Sequence, residues 1–105
     1  MPYPVIAEMS VTPIGSQTTS VSKQVAEAIN AIKSVKGIKF EVNAMGTVLE
    51  GENLERIFEA VRVANEAVFS TGEKRVQTIL KIDCRRDKAG TIEGKIESVK
   101  QYAKI

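Results

Sequence analysis

The stretch IKFEVNAMGTVLEGE, residues 38–52, decides the fold. Ile38, Phe40 and Val42 alternate with Lys39, Glu41 and Asn43, the period of two expected of a half-buried strand. Thr47-Val48-Leu49-Glu50 reads as a returning strand that Gly51 closes. Asn43-Ala44-Met45-Gly46 between them has turn chemistry, because Asn and Gly both accept positive φ. The stretch therefore predicts a β-hairpin, with Val42 facing Leu49 in the core. The same register sets Glu41 opposite Glu50 on the other face. Two carboxylates opposed in this way cost about 0.2–1 kcal/mol without compensation. A local conflict of this kind marks a candidate binding face or interface, although exposed glutamates are ordinarily just solvated.

Before the hairpin, Tyr3 to Pro13 reads as a strand. Val5, Ala7, Met9 and Val11 share one face; Ile6, Glu8, Ser10 and Thr12 share the other. Pro13, with no N–H to give, ends the ladder. IGSQTT (14–19) is a polar loop, and Thr19 or Ser20 is the expected N-cap of a helix. Val21, Val25, Ala28, Ile29, Ile32 and Val35 form its apolar stripe, with Gly37 at its end. After the hairpin, Asn53 is placed to cap a second helix with Glu55 in its first turn. Leu54, Ile57, Phe58, Val61, Ala64 and Val68 are its expected buried stripe, and Gly72 its stop. Arg75 to Asp83 is a strand with Val76, Thr78, Leu80 and Ile82 on one face. Gln77, Ile79, Lys81 and Asp83 lie on the other. The charged loop CRRDKAG (84–90) leads to a short helix opened by Thr91, with Ile92, Ile96 and Val99 in step. Gly94 weakens that helix by about 1 kcal/mol relative to alanine, so it needs a surface to dock on.

The order β-α-β-β-α-β plus a terminal helix is the α+β, split-βαβ or ferredoxin-like plan. It places both main helices on one face of a four-stranded antiparallel sheet in strand order 4-1-3-2. The other face is left open, carrying Glu8, Ser10, Thr12, Glu41, Asn43, Val48, Glu50, Gln77, Ile79, Lys81 and Asp83. Ile6, Val48 and Ile79 on it predict partial cover, most simply by a second copy of the chain.

The totals bound the answer. A chain of 105 residues makes one domain, 1–105, able to bury about 65% of its unfolded surface. Fifteen basic against thirteen acidic residues leave a net charge of +2, too balanced to imply nucleic acid or a membrane surface. The open face has acids and no aromatics, which argues against single-stranded RNA. Cys84 is the one cysteine, which fits a reducing compartment; MPYPVIAEMS lacks a basic signal region, and no apolar run is long enough to span a bilayer. The expected location is cytoplasmic. Histidine is absent, which removes the commonest general base and zinc ligand. No nucleophile–base pair stands out, so the chain does not read as an enzyme, and no metal or cofactor is expected.

AEMSVTPIG (7–15), TSVSKQVA (19–26), FEVNAMGTVLEGE (40–52) and LKIDCRRD (80–87), in that order and at ordinary spacing, resemble the small thiamine-binding protein family, long known only as a domain of unknown function. The resemblance runs from Ile6 to about Tyr102; Cys84 stands where an acidic residue is more usual. It implies a ferredoxin-like subunit assembled into dimers or tetramers through sheet faces or edges. It also implies a small ligand, thiamine or its hydroxymethylpyrimidine part, bound for transport, storage or salvage at the open sheet face or a subunit interface.

The residues suit such a ligand. Thiamine pairs a cationic thiazolium with an aminopyrimidine, and its host needs carboxylates, neutral hydrogen-bonding groups and some apolar wall. Glu8, Glu41 and Glu50 are the candidate carboxylates; Ser10, Thr12 and Asn43 are the candidate neutral partners. Arg85 and Arg86 form a candidate anion site, since guanidinium forks suit phosphate oxygens. The ordinary reading of that loop is a solvated run of self-compensating charge. The alternative function is a regulatory or scaffold oligomer binding another, anionic metabolite between subunits. Pocket charge separates the two readings.

Overall fold

A computed structural model describes residues 3–105. Its elements run β1 (Val5–Pro13), α1 (Ser22–Ile32), β2 (Ile38–Asn43), β3 (Gly46–Gly51), α2 (Leu54–Phe69), β4 (Val76–Asp83) and α3 (Ile92–Lys100). The four strands form one antiparallel sheet in the order β2-β3-β1-β4, the expected order read from its other edge.

The alternation of β1 becomes burial. Val5, Ala7, Met9 and Val11 lie in the core with Leu49 of β3. Ala28 and Ile32 of α1, and Ile57, Ala60, Ala64 and Val68 of α2, cover them. Ala60 replaces the expected Phe58, which is exposed. The two helices pack on each other over the centre of the sheet. A small residue there lets α2 approach closely, whereas a phenyl ring would hold it away. Thr78 on β4 donates a hydrogen bond to Asn65 Oδ1 of α2 at 2.9 Å, fixing the helix against the edge strand.

Helix ends divide by local chemistry. Asn53 caps α2, its Oδ1 accepting from the Arg56 N–H at 3.0 Å. Thr91 caps α3 by accepting from the Gly94 N–H. α1 departs from expectation. Val21 stands at its N-cap with no side-chain hydrogen bond, while the Ser20 hydroxyl turns to Ser22 and Thr18 bonds the Ser20 carbonyl. α1 also stops at Ile32, before Val35, the last position of the expected stripe. The chain then turns through Gly37 at φ +76°, and the Gly37 carbonyl accepts from the Glu52 N–H at 3.0 Å. A side chain would be strained in that left-handed conformation.

The hairpin forms, in a register two residues away from the expected one. Phe40, not Val42, pairs with Leu49; Lys39, not Glu41, pairs with Glu50. The turn is the pair Ala44-Met45 between Asn43 and Gly46, and none of these four takes positive φ. A shift of two keeps every side chain on its face, because strand side chains repeat every two residues. It changes the neighbours instead. The Glu41–Glu50 conflict is absent: Lys39 Nζ lies 4.0 Å from Glu50 Oε2. Val42 keeps its place on the helix side but stands near the turn, 57% exposed, rather than in the core.

Candidate functional site

Register brings the open-face side chains into rows across the sheet. One row runs Lys39, Glu50, Ile6, Asp83; the next runs Glu41, Val48, Glu8, Lys81. The first row is closed by α3. The Ile92 N–H, at the start of α3, donates to Glu50 Oε1 at 2.8 Å. Lys95 pairs with Asp83. Ahead of α3, the Gly90 N–H donates to the Pro4 carbonyl at 3.1 Å, which brings the chain against Ile6. Glu50 is left with a side chain only 13% exposed. The weak terminal helix thus finds its docking surface within the chain, and the loop before it passes beside Ile6. Glu50 serves α3 and does not stand on the free face with the other candidate residues.

The second row is free. Glu8 and Glu41 flank Val48 on alternate strands, about 10 Å apart at ordinary strand spacing. Lys81 Nζ lies 3.8 Å from Glu8 Oε1, so the net acid of the row is Glu41. Ser10 pairs with Ile79, which is 62% exposed, and Thr12 pairs with Gln77. Asn43 stands across from Gly46 at the hairpin end. The structure therefore gathers Glu8, Ser10, Glu41 and Asn43 with apolar Val48 and Ile79, and sets Thr12 further along β1. A shallow hollow of about 480 Å³ lies over Ile6, Glu8, Val48, Lys81 and Asp83.

The arginine loop lies elsewhere. Arg85 is held by Asp87 through two hydrogen bonds, 2.9 and 2.6 Å. That pairing lowers the Asp87 carboxyl pKa below its ordinary value and raises that of Arg85. Arg86 lines a cleft of about 430 Å³ with Tyr3, Asn53, Glu55 and Cys84. One arginine is thus neutralised by its neighbour, and a carboxylate shares the cleft with the other.

The family of thiamine-binding proteins matches this chain over residues 7–100. The chain belongs to the thiamine-binding protein family. It is 45% identical over 97 residues to a UPF0045 protein of Methanothermobacter thermautotrophicus, covering 92% of this chain and 97% of that one. A UPF0045 protein of Bacillus subtilis is 40% identical over 100 residues, covering 92% and 95%. A hypothetical protein of Methanocaldococcus jannaschii of known structure aligns with a TM-score of 0.84 at 44% identity, over 93% of this chain and 97% of that one. A Thermotoga maritima protein described as a candidate for thiamine biosynthesis or salvage aligns with a TM-score of 0.75 at 27% identity, over 91% and 98%. The thiamine-binding family is described by binding, not by a reaction. No helix among the described residues is long and apolar enough to cross a membrane.

Sequence reasoning missed two features of this family member. One is the closure of the first row, which depends on α3 folding back. The other is Thr47, the single buried polar side chain among the described residues, at 4% exposure. The alternation Thr47, Leu49, Gly51 already puts Thr47 on the apolar face, and that signal was available in the hairpin.

Proposed function

We propose that this protein binds thiamine or its hydroxymethylpyrimidine part, for transport, storage or salvage, at the open sheet face. The observation that carries the reading is the free row in which Glu8 and Glu41 stand astride Val48. A thiazolium resting over Val48 meets Glu41, which has no ion pair among the described residues, and approaches Glu8, whose lysine is long and exposed. Ser10, Asn43 and, further out, Thr12 supply neutral partners, and Ile79 an apolar wall. Membership in the thiamine-binding family supports the ligand class.

The same face supports a homo-oligomer. Ile79 on the sheet, and Ile96 and Val99 on α3, are exposed apolar groups that a second copy would cover. A monomer by light scattering at micromolar concentration would count against this part.

The competing reading, an anionic metabolite at Arg85 and Arg86, is favoured by the cleft at the start of α2. The Arg85–Asp87 pair and the presence of Glu55 weigh against it.

The test is calorimetric titration with thiamine, thiamine phosphate and hydroxymethylpyrimidine, repeated on Glu41→Gln and Glu8→Gln. Saturable thiamine binding that Glu41→Gln weakens supports the acidic-face reading. Binding of anionic metabolites alone, lost in Arg86→Ala, would replace it.

A further inference from the structure

α2 turns its largest apolar side chains outward. Its buried positions are Ile57, Ala60, Ala64 and Val68, two of them alanines. Its exposed positions are Glu55, Phe58, Arg62, Glu66 and Phe69. Phe58 is 51% exposed and Phe69 41%. Neither ring is needed inside, because the buried core contains no aromatic residue. α1 is the control. Packed beside α2, it exposes Ser22, Lys23, Ala26, Glu27 and Asn30, with no apolar side chain larger than alanine.

These exposed residues form one stripe. Phe58 and Phe69 are separated by about three helical turns, roughly 16 Å, so they point the same way. Arg62 lies on the line between them. By helical periodicity the two phenylalanines fall on one side of that line, and Glu55 and Glu66 on the other. A single exposed apolar residue needs no explanation, but two aromatics aligned on one helix do. Aromatic side chains bury about 150–250 Å² each and anchor interfaces.

The charges on the stripe identify the partner. Arg56, nearer the start of α2, is committed within the chain to Glu52 and Glu59. Arg62 and Glu66 form no ion pair among the described residues. They stand four apart with the arginine first, the less favourable order for pairing along one helix. The stripe is instead its own complement. Read forwards it runs Phe58, Arg62, Glu66, Phe69: aromatic, cation, anion, aromatic. Read backwards it runs aromatic, anion, cation, aromatic. A two-fold axis perpendicular to α2, passing between Val63 and Ala64, is equidistant from Phe58 and Phe69. It lays a second α2 antiparallel on the first, aromatic side against aromatic side. Phe58 of each copy then meets Phe69 of the other, and Arg62 of each reaches Glu66 of the other. That reciprocity is what a two-fold contact requires.

We infer that the outer stripe of α2 is a two-fold interface with a second copy of this chain, helix layer against helix layer. It lies on the side of the molecule away from the open sheet face. It is therefore separate from the contact across Ile79 and α3, and it leaves the acidic face of both copies accessible. Two helices of 16 residues make a contact at the low end of interface sizes, so this association is reversible and depends on concentration.

The experiment is sedimentation velocity of the full chain from micromolar to millimolar concentration. It compares the wild type with Phe58→Glu, Arg62→Glu, Glu66→Arg and Ile79→Asp, and with an equimolar mixture of Arg62→Glu and Glu66→Arg. The wild type should associate. Phe58→Glu should raise the dissociation constant of one association step by about tenfold or more, the scale of an aromatic anchor. Each charge variant alone should weaken the same step, because it sets like charges across the axis. The mixture should restore it, because every acid then faces a base. Restoration in the mixture cannot arise from a folding defect, so it decides the matter even if one variant is less stable. A wild type that stays monomeric at millimolar concentration would overturn the inference. So would a mixture that fails to restore association. Association that Ile79→Asp abolishes and the α2 variants leave unchanged would also overturn it, leaving the sheet-face contact standing and the α2 stripe to a different protein. Association that responds to the α2 variants and not to Ile79→Asp would support it and remove the sheet-face contact.

Discussion

The two ends of the β2–β3 hairpin are built from the same alternating sequence and behave differently. At the open end of the hairpin Glu50 bonds the first amide of α3, Lys39 lies beside it, and Asp83 meets Lys95. Every polar group named there has a partner in the chain. At the turn end, Val42 is exposed on the helix side, and both Val42 and the buried Thr47 line a pocket of about 220 Å³. Strand pairing is equally regular at both ends. Cover makes the difference: α3 returns to one end, whereas α1 and the turn at the other border a pocket between them. At one end polar groups of the sheet are held by α3, and at the other the sheet, the hairpin turn and α1 border a mainly apolar pocket.

The comparison can be broken most forcefully at its midpoint. Leu49 is fully buried between Phe40 and Ala7. Leu49→Ala should cost about 2–5 kcal/mol in chemical denaturation, because it opens a cavity common to both ends. A loss well below that range would mean the hairpin is not anchored as described. Glu50→Ala removes the bond to the first N–H of α3, while the Thr91 cap and the Lys95–Asp83 pair remain. It should cost about 1–3 kcal/mol, the price of leaving a part-buried amide unsatisfied, and amide exchange in α3 should rise selectively.

Acid sharpens the same contrast. The hydrogen bond and charge of Lys95 hold the Asp83 carboxyl below its ordinary value of 3.8, and Arg85 adds to this. A depressed carboxyl contributes stability that is fully present above the ordinary value and lost as pH falls through the folded one. The Lys95–Asp83 tie should therefore be intact at neutral pH and release below pH 3.8. In an acid titration followed by NMR, resonances of α3 should move before those of α1. Simultaneous movement would show that α3 is not separately tethered. The smallest effect is at the turn. Val42→Ala should change stability by no more than about 0.5 kcal/mol, since that side chain gains little from the core. A large loss would mean that Val42 is packed after all, and the turn-end pocket closed.

Much of the fold was legible before the structure. The alternation in β1 and β4, the apolar stripe of α1 and the caps Asn53 and Thr91 are local signals, each set by a few neighbouring residues. The face of each hairpin residue was legible for the same reason. The register was not, because Asn43-Ala44-Met45-Gly46 permits turns of more than one length. A slip of two preserves the pattern on both faces. That slip carried Glu50 away from Glu41 and into the service of α3. Of the candidate residues, Glu8, Ser10, Glu41 and Asn43 share the free part of the open face, whereas Glu50 is held by α3.

The sequence by itself determined the element order, the faces of the strands and the ferredoxin-like plan, because periodicity and capping act over a turn or a few residues. Only the tertiary structure decided which polar groups of the sheet are held by α3 and which stay on the free face. That depends on where α3 returns, which is fixed by packing among elements far apart in the chain. The carboxylates of the open face are visible in the letters. The empty space beside Thr47 is a property of the assembled layers alone.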